Sequence, residues 1–260
     1  MNRDRLNKSI VPKLLTFTKD INVYDVENFI LETAVNKYNG FPHWVVHLDY
    51  VRIILSGHKD IYLAKENFQK IKKIVINGLK NENFEKQAKE LHEIDSEIDF
   101  NNAIIKQYTD DNELYLNANK LLRNGHSGRD IGNENLTPWI LQLNSAIRNC
   151  EEKSGTFYRG TIMKKEDIDK YKKNELFVWS SFSSFSKSEK NCLGGNVIFE
   201  MTPVSGIAGR DKRAPRDISM FSCFPEEEEV IMPICSVYLI REIKSSSRLT
   251  KIKCDILDHN

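Results

Sequence analysis

The sequence lacks the clustered cysteines that stabilise small secreted domains or bind structural zinc. Its five cysteines are odd in number and widely spaced, and no Cys-x-x-Cys pair occurs. This pattern favours free thiols in a reducing compartment over a disulfide framework.

Long apolar runs and an excess of one charge are missing as well. No segment approaches the roughly 20 consecutive apolar residues that cross a bilayer, and no apolar signal segment follows the charged first residues. We therefore expect no membrane span, and either a cytosolic protein or one exported without a cleavable leader. Because 38 Lys and Arg offset 37 Asp and Glu, for a net charge of +1, the composition favours no nucleic-acid partner.

The familiar phosphate-binding and metal-binding motifs are also absent from the sequence. It contains neither Gly-x-Gly-x-x-Gly nor Gly-x-x-x-x-Gly-Lys-Ser/Thr. His43 and His47 stand four residues apart, but neither a third ligand nor a metalloprotease glutamate accompanies them. We therefore expect no Rossmann dinucleotide site, no P-loop and no metal.

The first half of the sequence does contain helical periodicity, with apolar residues three and four positions apart. Thr137 is the expected N-cap of the last of these helices, with Pro138 as its first helical residue. Helices are predicted over 24–38, 44–56, 60–79, 82–98, 111–124 and 137–149.

From residue 156 onward, short runs of β-branched and aromatic residues replace this pattern, interrupted by one helix near 165–173. Helices followed by consecutive strands predict an α+β fold, because a doubly wound parallel sheet would alternate strand and helix. The predicted strands cover 156–159, 176–183, 196–201, 230–234, 237–243 and 249–257.

Two motifs among these strands could bind a polar ligand. In Phe157-Tyr158-Arg159-Gly160 the guanidinium suits phosphate oxygens, and the glycine lets a backbone or a ligand approach closely. The segment from Trp179 to Ser186 alternates aromatic and hydroxyl side chains, so that small hydroxyls line one strand face. Taken singly, these motifs also suit a surface salt bridge and a solvated edge strand.

A third motif places four glutamates, residues 226–229, directly before an apolar strand. A solvated acidic loop is the ordinary interpretation of such a run. A strand period of two, however, directs Glu227 and Glu229 to the same side. Paired carboxylates suit displacement at a sugar carbon, where one stabilises an oxocarbenium-like centre and the other orients or deprotonates the nucleophile.

The order and spacing of these motifs resemble the mono-ADP-ribosyltransferase family of the arginine, Ser-x-Ser, Glu-x-Glu type. Segments 105–123 and 143–147 are similar to the first two helices of that family. The resemblance covers about residues 98–258. It implies a mixed or antiparallel two-sheet catalytic domain over 98–260, preceded by a small helical region over 1–97 of unknown role.

The resemblance also implies roles in binding NAD. Arg159 matches the arginine that contacts the diphosphate and ribose of NAD, and Gly160 lies beside it. Ser184, in Ser184-Phe185-Ser186, matches the serine that organises the NAD pocket and the catalytic glutamate. Phe182 and Ser186 are expected to line the same pocket, while Ser181-Phe182-Ser183 is a competing register of the serine motif.

For the reaction itself, Glu229 matches the catalytic glutamate that bonds the 2′-hydroxyl of the nicotinamide ribose. Glu227 matches the first glutamate of Glu-x-Glu, which is associated with arginine acceptors, and Phe224 matches an aromatic position that faces the target protein. The implied function is transfer of ADP-ribose from NAD to an arginine of a target protein, without a metal. An NAD glycohydrolase and a catalytically inactive binding module remain alternatives.

Overall fold

The computed structural model describes residues 13–15, 68–110, 112–124, 135–174, 176–179, 181–192, 195–203, 214–234 and 236–257. The helices predicted over 24–38 and 44–56 lie outside the described residues, as do His43 and His47.

The helices that precede residue 150 in the described chain form one layer. Their apolar faces share a single core, in which Val75, Phe100 and Trp139 are fully buried. The helices are α1 (Phe68–Asn81), α2 (Glu85–His92), α3 (Glu97–Thr109), α4 (Glu113–Asn124) and α5 (Thr137–Arg148). Since α1 and α2 pack on the same core as α3 and α5, the division at residue 97 stays a prediction.

The start of α5 differs from the prediction by one residue. Leu136 occupies the N-cap position without a side-chain cap, while Thr137 is already helical and Pro138 lies in the first turn. Leu136 is buried in the helical core, so apolar packing fixes the helix start where a hydroxyl cap was expected.

The strands form a mixed sheet, which confirms the predicted α+β class. The strands are β1 (Lys13–Leu15), β2 (Phe157–Thr161), β3 (Leu176–Trp179), β4 (Ser183–Ser186), β5 (Val197–Pro203), β6 (Arg216–Asp217), β7 (Glu229–Met232), β8 (Ser236–Ser245) and β9 (Thr250–Leu257). Their order in the sheet is β1-β3-β8-β9-β5-β2-β4-β7-β6, and neighbours are antiparallel except β5 and β9, which are parallel. A short helix, α6 (Lys165–Ile168), follows β2.

The two sheets implied by the resemblance are, in the structure, the two halves of a single hydrogen-bonded sheet that folds back on itself. Trp179 of β3 and Phe185 of β4 stack with ring centroids 5.8 Å apart, although their strands are far apart in the sheet order. The run predicted as one strand over 176–183 is therefore two strands in different halves. The break allows Phe182 to enter the helical core.

Candidate active site

Strands β4 and β7 place the serine and glutamate motifs side by side. They pair antiparallel, with Ser184 opposite Ile231 and Ser186 opposite Glu229. Ile231 packs in the helical core, whereas Val230 packs in the core enclosed by the sheet. Because side chains alternate along a strand, the two serines and Glu229 share the face directed towards the helices.

This shared face is covered on both sides of Ser184. On one side Phe182 packs against Tyr108 of α3, with ring centroids 5.4 Å apart. On the other side a 3-10 helix, Glu189–Cys192, lies over Ser186. Ser184 is only partly buried between them. We take the accessible surface at Ser184, between Phe182 and the 3-10 helix, as the candidate active site and call it the gap.

The same 3-10 helix explains why residue 160 is a glycine. A Cβ at this position would lie 2.2 Å from the main-chain oxygen of Cys192, so only glycine lets the helix pack directly on β2. The sequence allowed either a backbone or a ligand beside Gly160, and in the structure a backbone approaches it. Burial raises the pKa of the Cys192 thiol to about 11, which keeps that thiol protonated near neutral pH.

Glu229 carries a buried carboxylate at the edge of this gap. The residue is 4% exposed, and its Oε2 has no hydrogen-bond partner among the described residues. Its main chain is fixed on both sides, by pairing with Ser186 and by the Ile218 amide, which donates to the Glu229 carbonyl at 3.2 Å. A buried acceptor without a partner costs about 1–3 kcal/mol, a cost that a ligand hydroxyl bound there would remove.

Glu227 lies in a turn and not in a strand. It ends a 3-10 helix, Pro225–Glu227, and Glu228 then adopts a left-handed conformation with φ 49° and ψ 44°. Glu227 and Glu229 are buried whereas Glu226 and Glu228 are exposed. Burial thus alternates along residues 226–229, as it would along a strand. The predicted cause was wrong, because the turn and not a strand produces this alternation.

The Ser186 hydroxyl links the serine motif to the glutamate turn. It donates to the main-chain carbonyl of Glu227 at 3.0 Å and accepts from the Ser188 amide at 3.1 Å. Ser186 is 1% exposed. Its described contacts are therefore made with the protein itself, and they hold the turn against β4.

In the competing register, Ser181-Phe182-Ser183, Ser183 lies on the opposite face of β4. Ser183 pairs with Met232, which packs in the core enclosed by the sheet, and its hydroxyl donates to the Ser181 carbonyl at 3.3 Å. Phe182 is 1% exposed and lies in the helical core. The register Ser184-Phe185-Ser186 is thus the one that places its hydroxyls on the face of Glu229.

Arg159 contacts the serine strand from the opposite face of the sheet. It pairs with Phe199 of the enclosed core, and its Cζ lies 5.7 Å from the centroid of the Trp179 ring. Its Nη1 donates to the main-chain carbonyl of Ser184 at 2.6 Å, and the residue is 5% exposed. The structure therefore joins Arg159 to Ser184 through the backbone, and contact with an NAD diphosphate stays a prediction.

Phe224 begins the glutamate turn and is partly buried. The segment before it is tied to the end of α3, since the Cys223 amide donates to Thr109 Oγ1 at 2.9 Å. The sequence did not predict this contact between Thr109 and Cys223, because a contact across 114 residues leaves no local pattern.

An ion pair holds β6 beside the end of β4. Lys187 Nζ donates to Asp217 Oδ2 at 2.6 Å, and Ser219 Oγ donates to Asp217 Oδ1, also at 2.6 Å. Partial burial acts to raise the pKa of Asp217, but the hydrogen bonds from Lys187 and Ser219 outweigh it and lower the pKa to about 2. Asp217 is therefore charged across the physiological range.

A cavity of about 450 Å³ lies between the ends of α3 and α5 and residues 217–221. Its lining includes Asn101, Cys150 and Met220 but neither Glu229 nor Ser184. We place the candidate site at the gap over Ser184, because Glu229, whose Oε2 has no partner among the described residues, lies on the same face of the sheet as Ser184.

Within the described ranges, no group of His, Cys, Asp and Glu side chains is arranged to hold a metal ion. No helix in the described part of the chain is long and apolar enough to span a membrane.

Comparison with known proteins identifies the fold. No protein-family model matches the sequence, and no curated protein is similar to it. Among solved structures, ADP-ribosyltransferase HopU1 of Pseudomonas syringae pv. Tomato DC3000 is 22% identical over 60% of this chain and 76% of that chain, with a TM-score of 0.53. ADP-ribosyltransferase Vis, a Vibrio splendidus toxin solved in complex with the M6 inhibitor, is 18% identical over 75% and 88% of the respective chains, with a TM-score of 0.50. At these identities the likeness shows a shared fold.

Proposed function

We propose that this chain, which has the ADP-ribosyltransferase fold, is a mono-ADP-ribosyltransferase that moves ADP-ribose from NAD to an arginine of a target protein. The observation that carries the proposal is the buried Oε2 of Glu229, which has no partner among the described residues. It lies on the same face as Ser184, beside the gap between α3 and the 3-10 helix. A ribose hydroxyl is a donor of the kind that this oxygen requires.

In the first step, the bond between C1′ of the nicotinamide ribose and the nicotinamide nitrogen breaks. Nicotinamide leaves with the electron pair, and positive charge develops on the sugar. The fixed, desolvated carboxylate of Glu229 stabilises that charge more in the transition state than in the ground state. Its hydrogen bond to the ribose 2′-hydroxyl orients the sugar during this step.

In the second step, a guanidine nitrogen of the acceptor forms a bond to C1′ and loses a proton. A guanidinium has a pKa above about 12 in water, so an acceptor arginine needs a base beside it. Glu227, a buried carboxylate in the turn directly before Glu229, is that base. Arginine as the acceptor follows from the match of Glu227 to the first glutamate of Glu-x-Glu.

Arg159 contributes by fixing the backbone of Ser184. From the resemblance of its strand motif, we propose contact with the NAD diphosphate as its other role. Ser184 lines the nicotinamide end of the pocket, between Phe182 and Ser186.

The proposal is tested with purified protein, labelled NAD and an arginine-rich acceptor. The wild type is expected to release nicotinamide and to label the acceptor. Glu229→Gln keeps the shape of the side chain but removes its charge, and is expected to lower both products by about a hundredfold or more. Glu228→Gln, at the exposed neighbour, is the control and should retain activity. Full activity in Glu229→Gln would contradict the proposal, whereas nicotinamide release without acceptor label would identify an NAD glycohydrolase instead.

A further inference from the structure

The 3-10 helix Glu189–Cys192 sends one side chain towards the glutamate turn. Asn191 Nδ2 lies 3.1 Å from Ser186 Oγ and 3.3 Å from the main-chain oxygen of Glu227, and donates to both. The Ser186 hydroxyl donates to the same Glu227 oxygen at 3.0 Å. Two side chains from different elements therefore hold a single carbonyl group.

The helix that carries Asn191 is itself fixed to the sheet. Its last residue, Cys192, packs its carbonyl against Gly160 so closely that no Cβ fits. Its first residue, Glu189, forms an ion pair with Lys251 of β9. The main-chain N–H of Asn191 also donates to the Ser188 carbonyl at 3.2 Å. The side-chain amide of Asn191 is thus presented from a fixed backbone.

The carbonyl that Asn191 holds lies directly before a strained residue. Glu228 has φ 49°, a conformation that costs a residue other than glycine about 1–2 kcal/mol. A turn of this kind persists only where its surroundings fix it. Within the turn, the Glu227 amide donates to the Phe224 carbonyl and the Glu228 amide to the Pro225 carbonyl, both at 3.1 Å. The bonds from Asn191 and Ser186 to the Glu227 carbonyl add side-chain contacts that hold this turn against β4.

We propose that Asn191 is a positioning residue that sets the Glu227 carboxylate for the incoming acceptor, and so determines how much ADP-ribose reaches protein instead of water. This inference rests on the function proposed above. Glu229 is fixed independently, by β4 and by the Ile218 amide. Loss of the Asn191 contact therefore disturbs deprotonation of the acceptor while cleavage of the nicotinamide bond continues.

Asn191→Asp is the sharpest test, because it preserves size and replaces the donating amide with an oxygen that repels the Glu227 carbonyl. Its ratio of acceptor label to nicotinamide released is expected to fall about tenfold, as loss of one buried hydrogen bond predicts. Asn191→Ala removes the side-chain amide without adding a charge, and should also lower this ratio. Lys190→Ala, at an exposed residue of the same helix, is the matched control and should leave the ratio unchanged.

Hydrogen exchange of the peptide that contains residues 227–229 gives a second measurement, independent of turnover. Exchange there should be faster in Asn191→Asp and Asn191→Ala than in Lys190→Ala. A parallel fall in label and in nicotinamide release would overturn the inference, since it would indicate general structural damage. An unchanged ratio with unchanged exchange would overturn it as well. Should the wild type fail to consume NAD, the proposed function would fail, and unchanged exchange would still refute the positioning role of Asn191.

Discussion

Arg159 donates a 2.6 Å hydrogen bond to the main-chain carbonyl of Ser184 from the face of the sheet opposite to the Ser184 hydroxyl. The guanidinium also lies over the Trp179 ring. A buried charge in this position is stabilised by a charge-assisted bond and by the ring face. The position of Ser184 at the gap therefore depends on a residue in the core behind it.

Replacement of Arg159 is expected to damage NAD use and stability together. Arg159→Lys keeps the charge but loses the planar fork and the ring stacking, and should lower kcat/KM for NAD about tenfold. Arg159→Ala also leaves a cavity, and should lower the free energy of unfolding by about 2–4 kcal/mol. Titration with NAD and denaturant unfolding measure the two effects. The matched control is Arg241→Lys, at a partly exposed ion pair with Asp255, which should change stability by less than about 1 kcal/mol. Normal NAD use in Arg159→Ala would refute both roles given to this residue.

Glu227→Gln is expected to separate transfer from hydrolysis. The amide cannot take the proton of an acceptor guanidinium, so acceptor labelling should fall about a hundredfold. Nicotinamide release should remain within about threefold of wild type, because the Glu229 carboxylate is unchanged. Comparing both products in one reaction provides the measurement, with Glu226→Gln at the exposed neighbour as the control. Equal losses of both products would show that Glu227 is needed for bond cleavage itself.

The left-handed conformation of Glu228 predicts that glycine at this position preserves stability better than valine does. Glu228→Gly removes the cost of the positive φ but adds freedom to the unfolded chain, so stability should change by less than about 1 kcal/mol. Glu228→Val places a β-branched side chain at φ 49° and should destabilise by about 2 kcal/mol. Denaturant unfolding of both variants, with Glu226→Val as the control, tests this order. Equal stability of the glycine and valine variants would show that the turn relaxes out of its left-handed conformation.

The Lys187–Asp217 pair predicts a loss of stability in acid. The folded pKa of Asp217, about 2, is below its usual 3.8, so the charged form is bound more strongly in the folded state. This contribution is complete above about pH 4 and is lost as the pH falls towards 2. For a partly exposed pair it amounts to about 1 kcal/mol after screening by solvent. Unfolding measured from pH 6 to pH 2 should therefore show a shallower acid loss in Asp217→Asn and in Lys187→Met than in wild type. Parallel curves for all three proteins would contradict this assignment.

The sequence was sufficient for the fold class and for a face of small hydroxyls. Consecutive helices and then strands predicted the α+β class, and the alternation of aromatic and hydroxyl residues from Trp179 to Ser186 predicted that small hydroxyls line one strand face. Both inferences use local patterns, in which neighbours along the chain decide the outcome.

Features that depend on distant contacts were not predictable. The run over 176–183 reads as one strand, because nothing local indicates that Phe182 enters the helical core. No local pattern indicates the turn at Glu228 either, since residues in the left-handed conformation are usually glycine or asparagine. Asn191 holds Glu227 across 36 residues, and only the folded structure brings them together.

The position of β9 determines when the molecule can be assembled during translation. This strand lies between β8 and β5 and pairs with both, so it joins the half-sheet that contains β3 to the half-sheet that contains Arg159 and Ser184. A nascent chain that has left the ribosome only as far as residue 245 has the strands of both halves but lacks the strand that joins them by hydrogen bonds. The emergence of Thr250–Leu257 is therefore the event that closes the sheet, and a polypeptide truncated before it should be inactive and prone to proteolysis.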